Sequence, residues 1–498
     1  MSIPAPQIRS LSWDSFGAFV LLAAAMLAAQ FSHDRVVGSD GFFHIAQAGR
    51  VFGDMPWMPL SVFGDGWVDH QLLFHAALAP FAWLLPGVLA AKVGAAVLAA
   101  VGLWAIYTFL RAEGVPLPLL FALLPVALSW HLLIRLEMPR AASLSVALML
   151  LGILALVRDR PWGVFAVCWA YMWTYQVAAL MLPIALLHVL VARLPLGLEP
   201  RSLPWRGPAA AAAGLLAGLV VHPHSPRTLT FFWQHVVLKV RNEAGLPVGL
   251  EWEAGGFGTL LGMAGGGVAA LLVAIALASH AARRRGELPV SRLTVFGVLL
   301  AVAATIGALR SARFLEYSVP LSCIALALAA RDARLRRGPP SRWAVGAPLA
   351  VLVALGLGWS SWRAAQAAVA SEPPPDRLQA VTAWLAEADP EHPIVYHFSW
   401  NDFPELVFWG PTNRYIVGLD PHFLYLADPA LWTLYERIGG GWGKNPSKPI
   451  RERFGARWAV LVLPYPGGRA LLDADPGLRL AYEDQHALLY EVLPAPGM

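Results

Sequence analysis

The stretch VVGSDGFFHIAQAGRVFG, Val36–Gly53, sets an aspartate and a histidine four residues apart directly after the first apolar run of the chain. A second acid–histidine stretch, WVDHQLLFH, follows at Trp67–His75. Residues four apart share one face of a helix, so Asp40 and His44 point the same way if this segment is helical. Two readings of Asp40 stand side by side. Ser39 and Asp40 have the chemistry of a helix start, Ser39 as a cap and Asp40 as a charge at the positive helix end. The same carboxylate could equally carry chemistry. Which holds depends on what the segment faces, and that depends on which parts of the chain cross a membrane.

The composition decides the class. Of 498 residues, 57% are hydrophobic and 14% are charged, and the mean hydropathy is +0.55. Soluble domains carry nearly twice that charge, about 25%, so the chain reads as a multispanning membrane protein. Its net charge of +5 is spread over short loops and reads as topology, not nucleic-acid affinity. The two cysteines, Cys168 and Cys323, lie inside apolar runs and imply no disulfide framework. The amino-terminal MSIPAPQIRSLSWDS leads into an apolar run without a small-residue cleavage site, so that run reads as a retained span.

Apolar runs that cross or nearly cross a bilayer number about eleven, near 15–31, 88–110, 117–134, 141–157, 162–175, 177–192, 208–222, 256–279, 294–309, 317–330 and 343–362. The segment 70–87, with two histidines and two prolines, reads as an interfacial helix. With 70–87 not crossing, one set of loops holds sixteen arginines, from Arg9 to Arg342. The opposite set holds nine cations: Arg35, Arg50, Arg135, Arg140, Arg227, Lys239, Arg241, Arg310 and Arg313. The positive-inside rule makes the first set cytoplasmic. The amino terminus is then cytoplasmic, and the odd span count puts the tail outside. From about Ser371 the linker SEPPPDR opens a tail with a helical LQAVTAWLAEA and strand-like IVYHF, RYIVGL, WAVLVL and HALLYEVL. The expected architecture is mostly α: a polytopic helical module over 1–370, with a first outer loop at 32–87, and a small extracytoplasmic α/β domain over 371–498.

With that topology the unusual polar residues gather outside. The first outer loop holds Asp40, His44, Asp54, Asp65, Asp69 and His70, and later outer loops hold RLEMPR, HPHSPRTLTFFWQH, EWE and RSARF. Carboxylates, histidines and separated arginines suit a phosphorylated, membrane-embedded substrate. Plainer readings remain: His44 as packing, Asp69–His70 as a helix start, Arg135 and Arg140 snorkelling to headgroups.

SDGFFHIAQAGRVFG and WVDHQLLFH resemble the first outer loop of a bacterial group of predicted membrane glycosyltransferases in the GT-C superfamily. That superfamily includes protein mannosyltransferases and the oligosaccharyltransferase catalytic subunit. The group's loop reads D-x-x-x-H and then W-x-D-H, matched in order by Asp40, His44, Trp67, Asp69 and His70. HPHSPRTLTFFWQH resembles its asparagine–proline–tyrosine segment, with His222 and His224 replacing the polar pair, and RSARFLEYSVPL resembles its basic segment. The tail stretches WNDFPELVFW, YIVGLDPHFLY and IRERFGARWAVL resemble the group's tail domain. The chain departs from the group at WTYQVAAL, from Trp173, and at MPRAAS.

The resemblance implies a helical GT-C-like module of a bacterial inner membrane with a periplasmic α/β domain. It implies a glycosyltransferase moving a sugar from a polyprenyl-phosphate donor to a glycan, lipid or protein acceptor outside the cytoplasm. Asp40 would be the catalytic base and Asp69 a second carboxylate. His44 and His70 would orient them, and Asp40 and Asp69 would hold a divalent cation, Mg or Mn, if one takes part. Arg140, Arg313, His222 and His224 would bind the lipid phosphate. The rival expectations are a non-catalytic lipid-linked glycan transporter or assembly subunit, and an O-antigen ligase or polymerase-like transferase.

Overall fold

In the computed structural model the residues described are 13–51, 53, 57–194, 205–242, 245–247, 249, 256–283, 290–334, 342–441 and 445–494. Asp54, the EWE segment at 251–253 and Arg9, Arg201, Arg284, Arg285, Arg336 and Arg337 of the arginines expected on the cytoplasmic side lie outside them. A helix occupies each of the eleven expected spans. Five are long and apolar enough to cross a bilayer: Trp13–Gln30, Gly87–Ala112, Phe257–His280, Arg292–Arg310 and Ala312–Ala333. Counting one bent pair as a span makes six among the described residues. Large side chains such as Trp13, Leu84, Trp162 and Leu355 stay exposed on the outside of the helices, as lipid-facing residues do. The protein is a multi-pass membrane protein.

The bent pair is the main departure from the expected spans. The run at 117–134 is two helices, Pro118–Leu128 and Trp130–Glu137, meeting at 96°. Ser129 makes the corner. Its backbone is extended, its hydroxyl accepts the Leu132 N–H at 3.1 Å, and it donates to the Met263 carbonyl at 2.7 Å. The second helix therefore leaves the bundle sideways and delivers Met138–Pro139–Arg140 to the first outer loop. The segment 70–87 is a 13-residue helix, Leu72–Leu84, with Pro80 inside it. At 1.5 Å per residue it is roughly 20 Å long, too short for a bilayer core of about 30 Å.

The tail builds a five-stranded sheet from β1 (Ile394–His397), β2 (Arg414–Tyr415), β3 (Trp458–Val462), β4 (Leu478–Glu483) and β5 (Ala487–Val492). The order is β2-β1-β3-β5-β4, with β1 parallel to both β2 and β3, and β5 antiparallel to β3 and β4. The expected RYIVGL strand shrinks to two residues. Tyr415 donates its N–H to the Trp57 carbonyl at 2.6 Å, while Ile416 and Val417 turn into the core. Strand β4 was not among the expected strands.

First loop and tail share one hydrophobic core. Phe43, Trp57, Met58, Phe63 and Val68 cluster with Leu378, Phe403, Tyr415, Phe423 and Trp458. The Trp57 indole donates to the Pro411 carbonyl at 2.8 Å, and Val62 N–H donates to the Phe423 carbonyl at 3.0 Å. Elements packed in one core must lie on one side of the membrane. Reporter fusions at residues 60 and 380 should therefore agree with each other and differ from a fusion at residue 286; opposite signals at 60 and 380 would refute the shared-core topology.

Candidate active site

The helix Asp40–Gly49 starts without the expected serine cap. Ser39 is already in helical conformation and its side chain makes no capping bond. The turn is closed instead by backbone bonds from Gly41 to Gly38 and from Phe42 to Ser39. Two glycines make this start approachable. Gly38 has φ +74° and a Cβ there would come within 3.2 Å of Met138, and a Cβ on Gly41 would come within 2.4 Å of Pro139. The Met138–Pro139–Arg140 corner thus seats directly on the helix start.

That seating brings Arg140 to Asp40. The guanidinium donates to Asp40 Oδ2 at 2.7 Å, with about a third of the Asp40 side chain still exposed. Among the described residues Asp40 Oδ1 takes no hydrogen bond, and neither oxygen meets the helix amides. Arg140 is therefore a partner of the acid rather than a snorkelling headgroup contact. Glu372, just past the last long helix, accepts the Gly38 N–H at 3.1 Å. Burial pushes its carboxyl up, the Gly38 bond and Arg140 counteract, and Glu405 adds to the rise.

Next to this pair runs a buried chain that joins the two quoted stretches. His75 Nδ1 meets the Asp69 carboxylate at 2.7–2.8 Å, and His75 Nε2 lies 2.9 Å from His44 Nδ1. With the His75 Nδ1–H donated to Asp69, Nε2 is the acceptor for the His44 Nδ1–H, which leaves His44 Nε2 bare. Asp69 also accepts from the Gln71 N–H at 3.0 Å and from Gln47 Nε2 at 3.3 Å. Burial raises the Asp69 carboxyl, but His75, His70 and the Gln71 bond outweigh it and hold it below the usual range. Burial, His75 and Arg140 all push His44 down, so it is neutral.

The third part is a small pocket walled by His70, Gln176, His222, Phe231 and His235 among others. His70 stacks on Phe231 at 4.6 Å, and burial brings its pKa to about 3. Burial and His224 bring His222 to about 4. His224 is not in the wall; its N–H donates to His222 Nδ1 at 3.2 Å. Arg313 donates to the Tyr175 hydroxyl at 3.4 Å, beside Gln176, and its charge is felt at His235. Above the cavity, Lys239 pairs with Asp420 of the tail, which also holds His422 at 2.9 Å.

The structure thus joins Asp40 to Arg140 and His44 to Asp69, and places His70 and His222 in one cavity wall. Reasoning from sequence left His75, Gln176, His235 and Glu372 without roles. His75 was visible as the last residue of WVDHQLLFH and His235 as the last of HPHSPRTLTFFWQH. Arg140 takes one oxygen of Asp40 and His75 holds Asp69, and among the described residues no three His, Cys, Asp or Glu side chains gather as a metal cluster.

No family model and no curated protein matches the chain. Solved structures do. Arabinofuranosyltransferase AftD from Mycobacteria superposes with a TM-score of 0.59 at 18% identity over 99% of this chain and 41% of that one. ArnT from Cupriavidus metallidurans, bound to undecaprenyl phosphate, gives 0.62 at 13% identity over 98% and 99%. The archaeal oligosaccharyltransferase AglB from Archaeoglobus fulgidus, in complex with an inhibitory peptide and a dolichol-phosphate, gives 0.59 at 12% identity over 97% and 75%. The chain has the GT-C fold. It spans about two-fifths of AftD and nearly all of ArnT.

Two outcomes follow from this geometry. His75→Ala strips Asp69 and His44 of their shared partner, and leaving such buried groups unmet costs about 1–3 kcal/mol. A lowered melting temperature in detergent should report it, and an unchanged one would remove His75 from the network. Protonation gives the second. His222 binds its proton less readily folded (about 4) than unfolded (6.5). The unfolded chain therefore takes up the extra proton between about pH 6.5 and 4, and stability falls as pH falls through that window. His222→Gln should lose less stability than wild type between pH 7 and 4.5; parallel curves would show that His222 titrates normally.

Proposed function

We propose that the chain is an integral membrane glycosyltransferase that moves a sugar from a polyprenyl-phosphate carrier to an acceptor hydroxyl on the extracytoplasmic side. The observation that carries this reading is Asp40: a partly exposed carboxylate at the start of the first-loop helix, with one oxygen on Arg140 and the other without a hydrogen bond among the described residues. The GT-C fold supports it, as do two superposed proteins whose structures hold undecaprenyl phosphate or dolichol-phosphate.

In the reaction, Asp40 Oδ1 takes the proton of the acceptor hydroxyl while its oxygen forms the new bond to the anomeric carbon. The bond from that carbon to the carrier phosphate breaks, and the polyprenyl phosphate leaves with the negative charge. Arg140 and Arg313 are the guanidiniums suited to hold that phosphate. The Asp69–His75–His44 chain keeps the ring of His44 fixed near Arg140. A placed carboxylate base is worth roughly 10²–10⁴ in rate.

Asp40→Asn keeps a short polar side chain at the helix start and removes the base. It should lower transfer from polyprenyl-phosphate-linked sugar by about 10²-fold or more, with insertion and melting temperature near wild type. Asp40→Ala should do the same. Near-full transfer by Asp40→Asn would return Asp40 to a purely structural role.

A further inference from the structure

The linker SEPPPDR reads as a tether in the sequence, yet it is built as a bracket. Glu372 opens it directly after the helix Arg342–Ser371, with its N–H on the Ala368 carbonyl at 2.9 Å. Pro373, Pro374 and Pro375 follow; each fixes its own φ, and the first keeps Glu372 from continuing the helix. The far end is tied twice to one tail helix, Phe403–Trp409. The Trp409 indole donates to the Pro375 carbonyl at 3.0 Å, and Arg377 donates to both oxygens of Glu405 at 2.7 Å. That tail helix packs on the helix Asp40–Gly49 through Phe408 and Phe42. The mounting is stiff, and it presents the Glu372 carboxylate to the Gly38 N–H at 3.1 Å. An acid at the carboxyl end of a helix meets the negative end of the dipole. Helix stability therefore does not explain Glu372.

We propose that Glu372 is a positioning residue for the transfer: its carboxylate locks the Gly38 turn and thereby fixes where Asp40 is presented to the acceptor. The turn needs a lock of this kind. Gly38 stands in left-handed backbone at φ +74°, and a glycine has the most backbone freedom to lose on ordering. Ser39, the residue placed to cap the helix, makes no capping bond. The Gly38 carbonyl takes the Gly41 N–H at 3.0 Å, so with its N–H on Glu372 both polar groups of the residue are held. Asp40 follows two residues on, and a rotation about the Gly38 backbone would swing it off Arg140, which it meets at 2.7 Å. Charge adds a second tie. Arg140, Arg377 and Glu405 are the charges felt at Glu372, and of the two cations Arg377 is already engaged by both oxygens of Glu405. The inference rests on the transferase reading and deepens it: Glu372 acts on the base through the backbone rather than on donor or acceptor.

The test uses the full chain in nanodiscs and two variants. Glu372→Ala removes the acceptor of the Gly38 N–H, whereas Glu372→Gln removes the charge and keeps an oxygen that accepts. The first readout is hydrogen exchange of the peptide Val36–Phe43 by mass spectrometry, which needs no substrate. Exchange there should quicken about tenfold in Glu372→Ala, the worth of one hydrogen bond to a charged group, and stay near wild type in Glu372→Gln. The second readout is transfer from polyprenyl-phosphate-linked pentoses and hexoses to the acceptors of a native membrane extract. In Glu372→Ala kcat should fall about tenfold with KM for the carrier no higher than in wild type, and Glu372→Gln should recover most of the loss. Unchanged exchange in Glu372→Ala overturns the proposal whatever the transfer result. So does faster exchange with transfer unchanged, a kcat loss matched by a rise in KM, or no recovery in Glu372→Gln. A wild type inactive with every donor refutes the transferase reading instead, and the exchange of the two variants still decides whether Glu372 holds the turn before Asp40.

Discussion

One indole, that of Trp57, holds the outer loop to the tail sheet. It is 1% exposed, donates to Pro411, and its own carbonyl takes the Tyr415 N–H, so the loop continues the hydrogen bonding beside β2. Burying a tryptophan removes about 150–250 Å² from water, worth roughly 4–6 kcal/mol. The loop needs such a contribution, because ordering irregular backbone costs about 1–2 kcal/mol per residue. Phe43, Phe63 and Val68 add to the same core. The helix carrying Asp40 is then braced from above by Phe408, whose ring lies 5.2 Å from Phe42, and from below by the 138–140 corner. A residue on an otherwise mobile loop becomes a fixed one.

Much of this was legible in the sequence, because membrane helices write their positions in hydropathy alone. All eleven apolar runs are helices, and four of the five strands fall in the apolar runs of the tail. The bend at Ser129 was not legible. It depends on the Met263 carbonyl, 134 residues away, which no local pattern contains. Strand β4 was hidden for a different reason. It lies at the sheet edge with Arg479 and Glu483 paired to Glu491 and Arg469, and none of its residues is buried. The site shows the same division. Asp40, His44, Asp69 and His70 stand out as polar residues in an apolar chain, whereas the role of His75 exists only through its two partners. The serine cap failed because Gly38 lets the chain turn one residue earlier.

The outer face divides its electrostatics into two zones. Around Asp40 the groups are ionic, with Arg140 shared between the acid and the neighbourhood of Glu372. Around His70, His222 and His235 the imidazoles are neutral, with Lys239 and Arg313 close enough for their charge to be felt at His235. The division follows from burial: an imidazole loses its proton readily when desolvated, a guanidinium does not.

The tail takes part in this division rather than merely covering it. Glu372 bonds the Gly38 amide two residues before Asp40, and its carboxyl senses Arg140. Asp420 pairs with Lys239 four residues beyond His235. Tail carboxylates thus hold one backbone amide and one cation of the loops. The charge pattern of the site is therefore a property of the assembled loop and tail, and neither half carries it alone.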